Sequence, residues 1–472
     1  MSIKSLGKQS LVYGIGHVLA RLITFLLLPL YTNTFNQEEY GAISLAYAFI
    51  GFALIIYRHG MDTALMKFSV QTAGDERIKY ITTIILSQTL TGILFTFLIY
   101  ITRSYTAIWV LGTDRQEWMM FLCVILFLDC MWNLPLLILR SEERAVPFIS
   151  LSLINVITTM VLNIIFVVYK GQGIEGVFRA NIIASGLSFF LSAPIIFNRT
   201  NVSLFDKKTL KKIFYFSLPF LPAGIFTMVM ELSDRYILEW LIGTAEVGLY
   251  SAGKKMGMLG LTVVMAFNMG WTPYFLKRGK EPGSKFEFAK ITTYFLGFMS
   301  YVCIIVSLWI ADLMKLSING SNLIGPEFWD SQPIVKLILF GYFFFGAYVV
   351  QLPGVYIKEI TNWVPVFRLT GAITLIISCI LLIPYMGYLG AAYSVVIAFF
   401  MMTISIYTKT NKLYPIAYNW RGILIPTICL FMVQIDFDSR TINLVISILY
   451  PFFWYLFALN NFEKEDLMKA FK

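Results

Sequence analysis

The chain has 472 residues, 58% of them in the AVILMFWYC set, 16% aromatic and only 14% charged, with a formal net charge of +10 and a mean hydropathy of +0.73. A soluble domain carries roughly 45–50% apolar residues and about 25% charge, so this chain holds more apolar surface than one soluble core can bury. It also has too little charge for a disordered or nucleic-acid-binding chain. It reads as a polytopic membrane protein, in which a basic excess is first a topology signal.

A membrane-crossing helix needs roughly 20 mostly apolar residues. Fourteen such runs follow in order, at about 9–31, 42–66, 80–102, 118–139, 146–169, 174–197, 212–232, 246–275, 289–311, 333–355, 364–384, 388–408, 421–435 and 442–459. The first follows Lys4 and Lys8 but is longer than a signal-peptide core and lacks a small-residue cleavage site, so it is expected to remain as a span. The thirteenth is the shortest. With the N-terminus inside, 25 basic residues fall in cytoplasmic segments. Six fall outside: Arg103, Arg115, Lys170, Arg235, Lys315 and Arg440. That asymmetry supports an even number of spans and two cytoplasmic termini. The basic run from Lys207 to Lys212 is mainly part of this signal and can also attract anionic headgroups.

The five cysteines lie in apolar runs without paired spacing and read as small core residues. Two histidines, His17 and His59, are too few for a histidine metal site or proton relay. No nucleotide-binding loop, zinc spacing or catalytic triad is evident, and neither is the large outer loop of a polymerase, so no enzymatic activity and no cofactor are expected.

A shift of 207 residues places Ser10-Leu11 on Ser217-Leu218, and Glu39, Gly41 and Ser44 on Glu246, Gly248 and Ser251. A shift of 214 places Gly173 and Gly176 on Gly387 and Gly390. Together these echoes suggest two six-span lobes related by a pseudo-two-fold axis along the membrane normal. The expected fold is therefore all-α and integral to the membrane: fourteen helices, two six-helix lobes around a central cavity, and two extra C-terminal helices. Residues 1–200 form the first lobe, 201–410 the second with its basic linker, and 411–472 the last two spans and tail.

Two stretches carry a resemblance to a known family. They are RLITFLLLPLYTNTFNQEEYGAISLA, from Arg21 to Ala46, and SLPFLPAGIFTMVMELSDRYILEWLIGTAEVGLYSAGKKMG, from Ser217 to Gly257. They resemble the polysaccharide-biosynthesis (Wzx-like) flippases of the multidrug/oligosaccharidyl-lipid/polysaccharide exporter superfamily. The matching features are Pro29 to Thr32 before Glu39 to Gly41, and Asp234-Arg235 before Gly248 to Ser251. The resemblance implies export of an undecaprenyl-pyrophosphate-linked oligosaccharide (O-antigen, capsule or exopolysaccharide) across the bacterial inner membrane by alternating access. It also implies pathway partners, the polymerase and glycosyltransferases, and a gating role for Asp234 and Arg235.

Charges inside spans give an independent reading of the cargo. Each costs about 2.5–3.5 kcal/mol at mid-helix on insertion scales, so each needs a cavity, a partner or a route to the interface. Arg21 lies roughly 18 Å past Gln9, and Lys254 roughly 12 Å past Glu246, by helical rise. His17 shares a helix face with Arg21. Each of Arg21 and Lys254 either lines a cavity or pairs with a buried acceptor, and one of Lys254 and Lys255 is expected to face the cavity. Arg58 with Asp62 reads as an internal ion pair or a cavity cation. Arg179 snorkels, pairs with Glu175 or meets substrate, and Glu231 with Arg235 can form a local pair. Asp129, the one acid near mid-span, either pairs with a base or couples transport to a proton or sodium ion. A cavity lined by His17, Arg21, Arg58, Arg179, Lys254 and Lys255 suits a lipid-linked pyrophosphate. The alternatives are a lipid-linked peptidoglycan-precursor flippase and, less favoured, a multidrug exporter or a membrane-embedded glycan enzyme.

Overall fold

The apolar runs fold as helices because, in hydrocarbon, a helix satisfies every backbone group within its own segment. A computed structural model describes residues 23–318, 320–435 and 439–470. The chain divides into two compact units, residues 1–228 and 229–472, with the boundary inside one helix.

The first unit contains α1 (23–34), α2 (Gln37–Arg58), α3 (Met61–Gln71), α4 (Gly74–Ile101), α5 (Arg103–Leu111) and α6 (Gln116–Ser141). It continues through α7 (Ala145–Asn163), prolonged as a π-helix to Tyr169, then α8 (Gly173–Phe197) and α9 (Lys207–Ser217). The boundary helix is α10 (Phe220–Leu241). The second unit follows with α11 (Thr244–Gly257), α12 (Leu259–Arg278), α13 (Ser284–Met314), α14 (Gln332–Val349) and α15 (Leu352–Ile357). It ends with α16 (Val364–Met386), α17 (Tyr388–Leu413), α18 (Trp420–Met432), α19 (Arg440–Phe453) and α20 (Asn461–Ala470).

Ten described helical segments are long and apolar enough to cross a membrane, and eleven if α9 and α10, bent by 41°, count as one span. The all-α membrane architecture is thus present, whereas the number fourteen is not reached by length and composition alone. The three other expected spans fall short for different reasons. The first begins outside the described residues, the eighth is broken at Met258 between α11 and α12, and the thirteenth, α18, has only 13 residues.

Local chemistry sets several of these boundaries. The Asn36 side chain accepts the Glu39 backbone N–H at 2.9 Å, and the Glu39 carboxylate accepts the Asn36 N–H at 3.1 Å. This capping box starts α2 and explains the acid of the Glu-Tyr-Gly turn. The expected second span is interrupted at His59 and Gly60, which take φ values of 31° and 79°. A Cβ on Gly60 would lie 2.3 Å from the Ser217 carbonyl oxygen, so glycine there lets the end of α9 rest on the break. In the second unit a Cβ on Gly257 would lie 2.6 Å from Ile338, which brings the backbones of α11 and α14 close together.

Several expected topology cations also clasp helix ends. Glu142, just past α6, accepts Arg199 Nε at 2.6 Å and Arg199 Nη2 at 2.8 Å, with Arg77 at 3.4 Å and Arg144 at 4.0 Å. Burial alone would raise its carboxyl, but the Arg199 hydrogen bonds and the three guanidinium charges hold it below the usual carboxylate range.

Candidate functional site

Two buried charges in the second unit form a pair. Asp234 on α10 is fully buried and Lys254 on α11 is 4% exposed. The Lys254 ammonium donates to Asp234 Oδ2 and, at 2.8 Å, to the Glu231 backbone carbonyl. The Tyr250 hydroxyl donates to the same Asp234 oxygen at 2.5 Å. Residues 250 and 254 are one turn apart on α11, so the helix presents both to one carboxylate. Lys254 thus has a buried acceptor, one of the two alternatives the sequence left open. Asp234 and Arg235, expected at or beyond the end of a span closing at 232, lie well inside α10.

This pairing leaves two cations over. Arg235, half-buried on α10, has a buried Nε without a hydrogen-bond partner. It lies within electrostatic range of Lys255, which is also half-buried. Among the described residues neither forms an ion pair with a carboxylate. In particular, Arg235 does not pair with Glu231. Two like charges held in proximity inside a spanning unit favour a multivalent anion between them.

A second polar cluster runs through the first unit. Asp129 Oδ1 accepts Ser185 Oγ at 2.5 Å and Trp132 Nε1 at 3.0 Å, leaving Oδ2 without a hydrogen bond among the described residues. Arg58 lies within electrostatic range of Asp129 and has a buried Nε with no partner. Arg58 and Asp62 form no ion pair, although the sequence spacing allowed one, because the chain breaks at His59-Gly60 between them. Tyr47 is also an electrostatic neighbour of Asp129, and Asn181 Nδ2 donates to its hydroxyl at 3.3 Å. Tyr31 adjoins Tyr47 and donates to Asn163 Oδ1 at 2.9 Å. Among the described residues the cluster thus joins α1, α2, α6, α7 and α8, with Asp129 as its carboxylate.

Arg179 is held at the start of α8 by Glu175 at 2.8 Å and belongs to neither cluster. His17 and Arg21 lie outside the described residues. The sequence reading met Tyr31 and Tyr250 only within the family motifs and missed Tyr47, Asn163, Asn181 and Ser185. Asn163 and Asn181 did carry a signal, since an amide within an apolar span is costly unless bonded. Among the described residues no group of three or more His, Cys, Asp or Glu side chains is placed to hold a metal ion.

At 14% identity, the chain superposes on lipid II flippase MurJ in an inward-closed conformation with a TM-score of 0.76, covering 94% of this chain and 98% of that one. An inward-facing multidrug-resistance MATE transporter gives 0.68 at 13% identity, covering 89% and 99%. In sequence, the chain is 22% identical to an uncharacterized membrane protein of Haemophilus influenzae, over 82% of this chain and 94% of that protein. It is 25% identical to capsular polysaccharide biosynthesis protein CapF of Staphylococcus aureus, over 43% and 51%. Residues 6–278, more than half the chain, match the family described as polysaccharide biosynthesis protein. This multi-pass membrane protein, with the fold of the multidrug/oligosaccharidyl-lipid/polysaccharide superfamily, belongs to the polysaccharide biosynthesis protein family.

Proposed function

We propose that the protein is a flippase that carries an undecaprenyl-pyrophosphate-linked oligosaccharide from the inner to the outer leaflet of the bacterial cytoplasmic membrane by alternating access, with no bond made or broken. The observation that carries this reading is the Arg235 and Lys255 pair, two cations without a carboxylate partner among the described residues once Lys254 is taken by Asp234. A pyrophosphate presents several acceptor oxygens and more than one negative charge, which matches a guanidinium fork beside an ammonium. A cationic drug would be repelled there. Glycosyltransferases would supply this cargo and a polymerase would receive it, with both chain termini cytoplasmic.

The fold shared with MurJ favours a second reading, a lipid-linked peptidoglycan precursor as cargo. Deleting the protein distinguishes the two. The first reading expects loss of a surface glycan and accumulation of its lipid-linked repeat unit, with lipid II levels unchanged. Accumulated lipid II would favour the second, and accumulation of neither would refute both.

Asp129 is proposed as the ion-coupling group, because among the described residues one of its oxygens is unbonded and no base forms an ion pair with it. Asp129→Asn is expected to keep the protein in the membrane while removing the dependence of transport on a proton or sodium gradient, measured in sealed vesicles. An unchanged ion dependence would make Asp129 structural.

A further inference from the structure

Most cytoplasmic cations of the first unit are already engaged within it. Arg77, Arg144 and Arg199 surround Glu142, and Lys79 pairs with Asp206 at 3.0 Å. Lys212 donates to the Tyr80 hydroxyl at 2.7 Å, and Lys67 lies over the Phe216 ring at 4.0 Å. Lys207, Lys208 and Lys211 on α9 are different, since all three are exposed and none has an acidic partner among the described residues.

The opposite side of α9 is pinned. Thr209, Ile213 and Ser217 are buried, and Asp206 caps the helix by accepting the backbone N–H groups of Lys208 and Thr209. Hydrogen bonds from Thr209 and Lys79 hold the Asp206 carboxyl below the usual carboxylate range. The helix therefore presents a fixed outer face. Lys207, Lys211, Phe214 and Leu218 follow i, i+4, i+7, i+11 spacing along that face, flanked by Lys208 and Tyr215. Phe214 is 46%, Tyr215 67% and Leu218 46% exposed. From Lys207 to Leu218 the stripe runs roughly 16 Å by helical rise, cationic at its first end and apolar at its second.

We infer that this face of α9 is a binding site for an anionic phospholipid of the cytoplasmic leaflet. The phosphate lies among Lys207, Lys208 and Lys211, and an acyl chain runs along Phe214, Tyr215 and Leu218. The stripe reproduces the headgroup-to-chain polarity of such a lipid over about half a bilayer core. A free phosphate would leave the apolar half unused. A glycan would find no side-chain hydrogen-bonding group beyond the three lysines and the Tyr215 hydroxyl. The site sits on the lead into α10, the helix through which the chain passes from one unit to the other.

The test is native mass spectrometry of the full-length protein in mild detergent, titrated with phosphatidylglycerol or phosphatidylcholine. The wild type is expected to prefer phosphatidylglycerol by on the order of tenfold or more, from three lysines near a phosphate. The K207Q/K208Q/K211Q variant should lose that preference at an unchanged melting temperature, and the corresponding triple arginine variant should keep it. K277Q/K280Q, which removes two other cytoplasmic lysines, should also keep it. Retention of the preference in the glutamine variant, or equal loss in the control, would overturn the inference. Displacement of phosphatidylglycerol by undecaprenyl pyrophosphate at equal concentration would also overturn it, by assigning the face to the cargo lipid.

Discussion

Asp234→Ala is expected to destabilise the protein by about 3–5 kcal/mol, the cost of stranding one partner of a buried ion pair. Among the described residues, Lys254 would remain buried on α11 with only the Glu231 carbonyl as a hydrogen-bond acceptor for its ammonium. Lys254→Met should be similarly damaging, because Asp234 would keep its charge with Tyr250 as its remaining side-chain donor. The double variant Asp234→Leu, Lys254→Met should recover much of the loss, since a matched apolar pair often replaces a buried salt bridge at little net cost. Thermal unfolding in detergent of Asp234→Leu, Lys254→Met and the double variant closes the cycle. Additive losses would show that the two charges do not support each other.

Neutralising the other two cations should have the opposite signature. Arg235→Ala or Lys255→Ala is expected to reduce export about 10- to 100-fold, as for loss of one charge-assisted hydrogen bond of roughly 1.5–3 kcal/mol. Together they should abolish it. Protein level and melting temperature should barely change, because neither side chain has an ion-pair partner to strand among the described residues. Arg235→Lys separates charge from geometry, and a bidentate contact to phosphate would leave it impaired. A loss of melting temperature equal to that of Asp234→Ala would show that Arg235 and Lys255 are structural.

Depth along a helix identified Lys254 as a charge that needs an explanation, because helical rise can be counted from sequence. It did not identify the explanation. Asp234 lies 20 residues earlier, in a stretch whose Glu231, Asp234 and Arg235 read as the polar margin of a span rather than its interior. The burial of that segment shows only in the folded chain, where Tyr250 and Lys254 of α11 hydrogen-bond to Asp234. The same ambiguity placed Arg235 in an outer loop. Asp129 was legible as the one acid near mid-span, but its partners come from Ser185 on α8 and Trp132 one turn along α6, and no spacing rule reaches across helices. Arg58 and Asp62 illustrate the reverse error, in which an i,i+4 spacing implied a pair but His59 and Gly60 interrupt the helix. The all-α membrane architecture was the most readable level, because hydropathy records the demand of the bilayer directly. The span count was less so, since helices broken at Met258 and at Leu218-Pro219 keep an apolar run while losing continuity.

The central claim is transport of a lipid-linked pyrophosphate glycan that depends on Arg235 and Lys255. It is tested most directly in proteoliposomes carrying an undecaprenyl-pyrophosphate-linked oligosaccharide, with a membrane-impermeant lectin or glycosidase reporting the glycan that reaches the opposite leaflet. The account predicts translocation by the wild type and none above protein-free vesicles by R235A/K255A, at equal reconstitution and equal melting temperature. Equal translocation by the wild type and that double variant, or none by the wild type, would contradict it.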